Sequence, residues 1–208
     1  MNPSRISRRF QFLVYLLRLG LSRPLSSSIK MTPATLEKRL RDCCGRRVVS
    51  VSYHQIQSDD DWAIHDIHPE IGDFCDFGVS LTLDDNTVAY VAWDATFRQY
   101  GLMLTRTPVA DFAAEGRRFA RTDSAPWDTL SRDSITSTEI IWNEFDNGLY
   151  PQAFLFGFSS SQRLLLSAAQ PMEHADGSIE LFGTSDWVAV LHHPDIIKGH
   201  LALLADAG

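Results

Sequence analysis

The order of apolar and polar residues divides most of the chain into short extended segments. Over 48–53, Val49, Val51 and Tyr53 alternate with Ser50 and Ser52, the period of two expected of a half-buried strand. Phe77, Val79, Leu81 and Leu83 alternate with Gly78, Ser80 and Thr82, the turn residues Asp84-Asp85-Asn86 follow, and Thr87–Trp93 resumes the pattern, which predicts a hairpin. Leu102–Thr105 reads as a further strand. In the second half Ile135–Trp142, Ala153–Phe158 and Arg163–Ala168 read as strands, the last two joined by a serine turn at 159–161. Ser178–Phe182 and Trp187–Leu191 are predicted as two more.

Three segments carry helix signals. Thr32 is suited to cap a helix, Pro33 to its first position and Gly45 to its stop, with Cys43 and Cys44 packing its end, so a helix is expected over 33–44. Thr107-Pro108 opens a second, expected over 108–118 with Val109, Phe112 and Ala113 before Gly116. His193-Pro194-Asp195 starts a third, over 194–205, with Ile196, Ile197, Leu201 and Leu204 inward. The expected fold is therefore α+β with a predominantly antiparallel sheet. Two stretches, 45–120 and 134–205, share the order strand, long connection, hairpin, further strand, helix, as two similar halves would. Arg121–Asp133 joins them and has room for one short helical turn.

Charge separates the first thirty residues from the rest. The chain of 208 residues has a formal charge of −7, but Arg5, Arg8, Arg9, Arg18, Arg23 and Lys30 face no acidic residue before Met31. Without those six, thirteen basic residues stand against twenty-six acidic ones, a formal charge of −13 over 31–208. Phe10–Leu21 is apolar but interrupted by Arg18 and shorter than the roughly twenty residues of a membrane span. Residues 1–30 read as a basic extension, either disordered or lying upstream of a natural start at Met31, with an organelle transit peptide as a further option. The acidic body of 31–208 reads as a single domain. Its field repels nucleic-acid phosphate and anionic lipid, so neither nucleic acid nor membrane is expected as a partner. Three cysteines, Cys43, Cys44 and Cys75, form no zinc or disulfide spacing and suit the cytoplasm.

Chemistry is thinly marked. There is no GxSxG elbow, HExxH helix, phosphate loop or GxGxxG turn. No catalytic residue and no cofactor is expected. The richest cluster of metal-ligand types is His65, His68, Asp73 and Cys75, on what Pro69 and Gly72 suggest is an irregular loop; a metal-dependent hydrolase is the alternative reading it supports. His65 and His68 would share a face if the segment were helical. His192 and His193 are expected on opposite sides of a strand end, and His174 and His200 as surface residues. Carboxylates are denser. Asp59, Asp60 and Asp61 precede Trp62, and Trp142, Glu144 and Asp146 lie in the second half. Acids interleaved with aromatic residues are what a surface that meets a basic protein requires.

The acidic composition, the hairpin DFGVSLTLDDNTVAYVAWD and the ending DWVAVLHHPD resemble the small intracellular immunity proteins that bacteria make against polymorphic toxins. The resemblance covers strand order and charge over roughly residues 45–195 and carries no specific motif. It implies a non-catalytic inhibitor that binds a basic protein partner, with no cofactor. A structural or assembly subunit, including a homodimer, is the remaining alternative.

Overall fold

The computed structural model describes residues 31–56, 65–68, 70–75, 77–94, 101–106, 116–145, 148–174 and 179–206. Within them the chain runs α1 (Pro33–Arg41), β1 (Val48–Ile56), β2 (His65–His68), β3 (Gly72–Cys75), β4 (Gly78–Leu83), β5 (Val88–Asp94), β6 (Gly101–Thr105) and β7 (Gly116–Ala120). It continues with α2 (Trp127–Leu130), β8 (Ile135–Phe145), β9 (Gly148–Phe158), β10 (Arg163–Glu173), β11 (Ile179–Leu191) and α3 (Pro194–Asp206). The strands form two antiparallel sheets, one ordered β6-β5-β4-β1-β7 and the other β2-β3-β11-β10-β9-β8. This is the expected α+β fold.

The two sheets pack with β6 against β9 and with β4 and β5 against β11. Alternation explains the core between them. Val51, Val79, Leu81, Val91, Leu102 and Leu104 line the inner face of the first sheet, and all are buried. Phe154, Phe156, Leu164, Leu166, Val188 and Val190 supply the facing layer of the second. The other face of the second sheet is covered by α3, whose Ile197 packs with Phe74, Ala153, Leu155, Leu165, Ala189 and Leu191. Helix α1 meets β6 and β8. Thr32 caps it, its hydroxyl accepting from Thr35 N at 3.2 Å, Pro33 takes the first turn, and Leu36 and Leu40 are buried.

Several elements differ from the sequence reading, each for a local reason. A register shift between Val48 and Ser50 buries Val48 and leaves Val49 40% exposed, so the bulge reverses the expected alternation at the strand's start. His65–His68 and Gly72–Cys75 form a hairpin joined to β11, where Pro69 and Gly72 had suggested an irregular loop. Gly72 is needed there because a Cβ at this position would run into the Val190 carbonyl oxygen. Of the helix expected over 108–118, residues 108–115 lie outside the described residues, and Gly116–Ala120 is strand β7, paired with β1. The two strands expected over 178–191 are one strand, β11, whose irregular pairing with β10 falls between Ala168 and Ala169. The helical turn expected in the central connection is α2.

Candidate functional site

Among the described residues, three polar arrangements and two recesses are places where chemistry can be sought; the wider recess, about 490 Å³, is lined by Asp42, Arg46, Asp85 and Arg106 among others. The first arrangement bridges the sheets. Tyr53 of β1 donates its hydroxyl to Asp73 Oδ2 of β3 at 2.7 Å and accepts from Trp127 Nε1 of α2 at 2.7 Å. Arg121 Nη2 donates to the same carboxylate oxygen at 2.9 Å, and its guanidinium lies 5.4 Å from the Tyr53 ring centre. Tyr53, Asp73 and Trp127 are all buried. Burial and then the adjoining Asp73 carboxylate push the Tyr53 phenol well above its ordinary range. Among the buried side-chain polar atoms of these four residues, only Arg121 Nε lacks a partner. This is an internal tie that fixes β3 and α2 to β1.

The second lies on the outer face of the first sheet. His54 Nε2 is 2.9 Å from Ser80 Oγ, Arg118 Nε donates to Ser52 Oγ at 2.9 Å, and the His54 and Tyr90 rings lie 4.7 Å apart. A serine bonded to an imidazole invites comparison with a hydrolytic pair, but the electrostatics have the wrong sign. Burial and the Arg118 cation push His54 down to about 4, whereas a general base must be helped to accept a proton, the service a carboxylate performs in a triad. Among the described residues no carboxylate reaches this ring. Tyr90, pushed up to about 12 by burial, keeps a buried hydroxyl without a hydrogen-bond partner.

The third ties α3 to its sheet. His200 Nε2 lies 3.0 Å from Ser167 Oγ, and Gln152 Nε2 donates to Ala168 O at 2.7 Å. His200, expected at the surface, is buried, and burial pushes it down to about 4. His192 and His193, expected apart, have ring centres 4.2 Å from each other because β11 ends at Leu191 and the alternation of a strand no longer applies.

The candidate metal set is not assembled by what is described. Asp73 is engaged by Tyr53 and Arg121, and the buried Cys75 thiol donates to Gly78 O and Val188 O, each at 3.5 Å. His65 and His68 lie on a strand, in register with Cys75 and Gly72, so the spacing that would align them on a helix face has no such consequence; their side chains lie outside the described residues. Among the described residues there is no group of three or more His, Cys, Asp or Glu placed to hold a metal.

Asp59, Asp60, Asp61, Trp62 and Asp146 also lie outside the described residues. Trp142 and Glu144 are on β8, Glu144 exposed and Trp142 half-buried. Trp142 joins Thr138 and Ile140 of the same strand and Glu37, Leu40 and Arg41 of α1 around a recess of about 210 Å³. Of its lining, Glu37 and Arg41 are exposed and opposite in charge, and the exposed Glu139 and Glu144 lie on β8 outside that lining. The sequence named Trp142 and Glu144 but not the helix that completes the recess. The signal was present in the polar first face of α1, where Glu37 and Arg41 are four residues apart. In comparisons with protein-family models, curated proteins and solved structures, nothing matches this chain.

Proposed function

We propose that this chain is a non-catalytic binding protein of the immunity type, acting in the cytoplasm to neutralise a basic partner protein. The observation that carries the proposal is the recess between α1 and β8, where Trp142 lines the same space as exposed Glu37, with exposed Glu139 and Glu144 along the same strand. Aromatic area supplies affinity in such a contact, and surrounding acids steer a basic partner and favour it over acidic ones. The charge of −13 over residues 31–208 works in the same direction. Free Cys43, Cys44 and Cys75 accord with a reducing compartment. Among the described residues no helix is long and apolar enough to cross a membrane.

The test is a comparison of variants in capture of the native partner. Wild-type protein is expected to recover one basic protein whose retention falls as salt is raised. Trp142→Ala, and separately Asp59, Asp60 and Asp61 all changed to Asn, are expected to weaken that retention, the first with the far-ultraviolet circular dichroism unchanged and the second with the unfolding free energy within about 0.5 kcal/mol of wild type. Retention unchanged in both variants, or insensitive to salt, overturns the proposal.

A further inference from the structure

The geometry points to a specific mode of recognition at this flank: we propose that β8 accepts an extended, basic segment of the partner as an added strand. The inference rests on the binding reading above and specifies how the partner is held. It begins with the direction of backbone groups. Phe158 N–H donates to Gln162 O across the β9–β10 turn at 3.0 Å, so in β9 the even-numbered residues down to Phe154 address β10 and the odd-numbered ones address β8. Ser137, Glu139 and Ile141 lie opposite Gly157, Leu155 and Ala153, and therefore bond to β9. Thr138 and Ile140 direct their N–H and C=O groups the other way, to the outer edge.

That edge is closed only at its start. Ile135 N donates to Arg46 O at 2.8 Å and Ile135 O accepts from Gly45 N at 2.8 Å. Beyond it, no strand among the described residues pairs with β8 on this side. Two outward residues, Thr138 and Ile140, also line the α1–β8 recess with Trp142 and Leu40. An added strand thus meets backbone donors and acceptors along the edge and a recess sized for one side chain beside it. Glu37, Glu139 and Glu144 select the charge of the segment. The same charges disfavour a second copy of this chain: pairing β8 with itself would bring two sets of these glutamates together on bodies of −13 each.

Three fluorescein-labelled peptides of about nine residues, the length of an ordinary strand, test this on the full chain. One alternates lysine and valine, the second has the same sequence with alternate amides N-methylated on its pairing edge, and the third alternates glutamate and valine. Anisotropy titrations are read beside amide exchange at Thr138 and Ile140. The lysine peptide is expected to bind and to slow exchange at both amides about tenfold or more, and N-methylation to weaken binding about tenfold or more, because it removes hydrogen bonds without changing charge. The glutamate peptide is expected not to bind. Equal binding of the methylated and unmethylated lysine peptides overturns strand addition while leaving the acidic-surface reading standing. Binding of the glutamate peptide removes the charge selection from both readings. Absence of binding by the lysine peptide overturns strand addition, with the partner-capture variants still judging the broader reading. Protection of the two amides that grows with protein concentration alone assigns the edge to a second copy and overturns the proposal.

Discussion

Two buried tyrosines in the same sheet are expected to respond in opposite ways to loss of their hydroxyls. Tyr53 and Tyr90 are 0% and 2% exposed, so Tyr→Phe removes the same atom from the same kind of place. They differ in partners. The Tyr53 hydroxyl donates to Asp73 and accepts from Trp127, each at 2.7 Å, whereas the Tyr90 hydroxyl has no partner among the described residues. In Tyr53→Phe a hydrogen bond to a carboxylate is lost, worth about 1.5–3 kcal/mol, and Trp127 Nε1 is left as a buried unpaired donor at about 1–3 kcal/mol more. The two overlap, so the expected loss is about 3 kcal/mol. For a chain of this size that lowers the unfolding temperature by roughly 6–12 °C. Tyr90→Phe removes a group that is desolvated without return, and its effect is expected within about 0.5 kcal/mol of zero or slightly stabilising.

Urea unfolding followed by circular dichroism gives both numbers, provided the slope against denaturant is unchanged between variants. Asp73→Asn adds a second reading of the same network. It leaves the Arg121 cation, whose side chain is 12% exposed, without its carboxylate, at a cost of about 3 kcal/mol. Combined with Tyr53→Phe, the losses are expected to fall short of additive by about 1 kcal/mol or more, since both changes break one hydrogen bond. Equal losses for Tyr53→Phe and Tyr90→Phe, or full additivity with Asp73→Asn, refute the assignment of this network as the tie between β1, β3 and α2.

Other expectations follow from particular packing and titration. Gly72→Ala drives a methyl into the Val190 carbonyl, a backbone atom, and is expected to cost about 2 kcal/mol or more; Gly157→Ala meets only the Ser137 hydroxyl, which can rotate away, and is expected to cost under about 1 kcal/mol in the same urea assay. His200, neutral when folded because burial holds it near 4 against an ordinary 6.5, stabilises the fold above about pH 6.5, and that contribution is lost as pH falls from 6.5 toward 4, by about 3 kcal/mol in full. In His200→Gln the fall in stability between those pH values is expected to be shallower by that amount, and an unchanged slope counts against a buried neutral imidazole. Titration of the native protein with a thiol reagent is expected to modify Cys44 first, because Cys43 and Cys75 are buried and burial raises the Cys43 thiol to about 11. Rapid modification of all three contradicts the packing at α1 and β3.

The fold was legible where a sequence reports local period. Period-two alternation located β1, β4, β5, β8, β9 and β10, and capping residues located α1 and α3. What the period does not carry is pairing at a distance. Nothing in GRRFA tells that Gly116–Ala120 joins β1 some sixty residues earlier, and Pro108 with Val109 and Phe112 offered a helical pattern nearby. The β2–β3 hairpin is specified by β11, against which Gly72 alone among residues fits, so its loop-like composition misleads. The candidate site divides in the same manner. Trp142 and Glu144 were visible as an aromatic among acids, whereas the partnership of Tyr53, Asp73, Arg121 and Trp127 spans four separate segments and has no signature along the chain.

The two sheets differ in how their edges are covered. In the first sheet β1, β4, β5 and β6 lie side by side, and in the second β8, β9, β10 and β11 do the same, so each sheet contains a run of four antiparallel neighbours. Their corresponding first strands are treated differently. The free side of β1 is covered by β7, with Ser52 to Ile56 paired along it, while among the described residues the same side of β8 has a backbone partner only at Ile135 and its neighbour Ser134. A strand edge left unpaired is a hazard that proteins ordinarily blunt with charge, and β8, unpaired over most of this side among the described residues, carries Glu139 and Glu144. Those same charges exclude acidic and self-pairing strands without obstructing a basic one. On the strand-addition proposal, an edge closed to most partners and open to a single class acts as a selective binding element, and the recess lined by Trp142 gives that class a place to anchor.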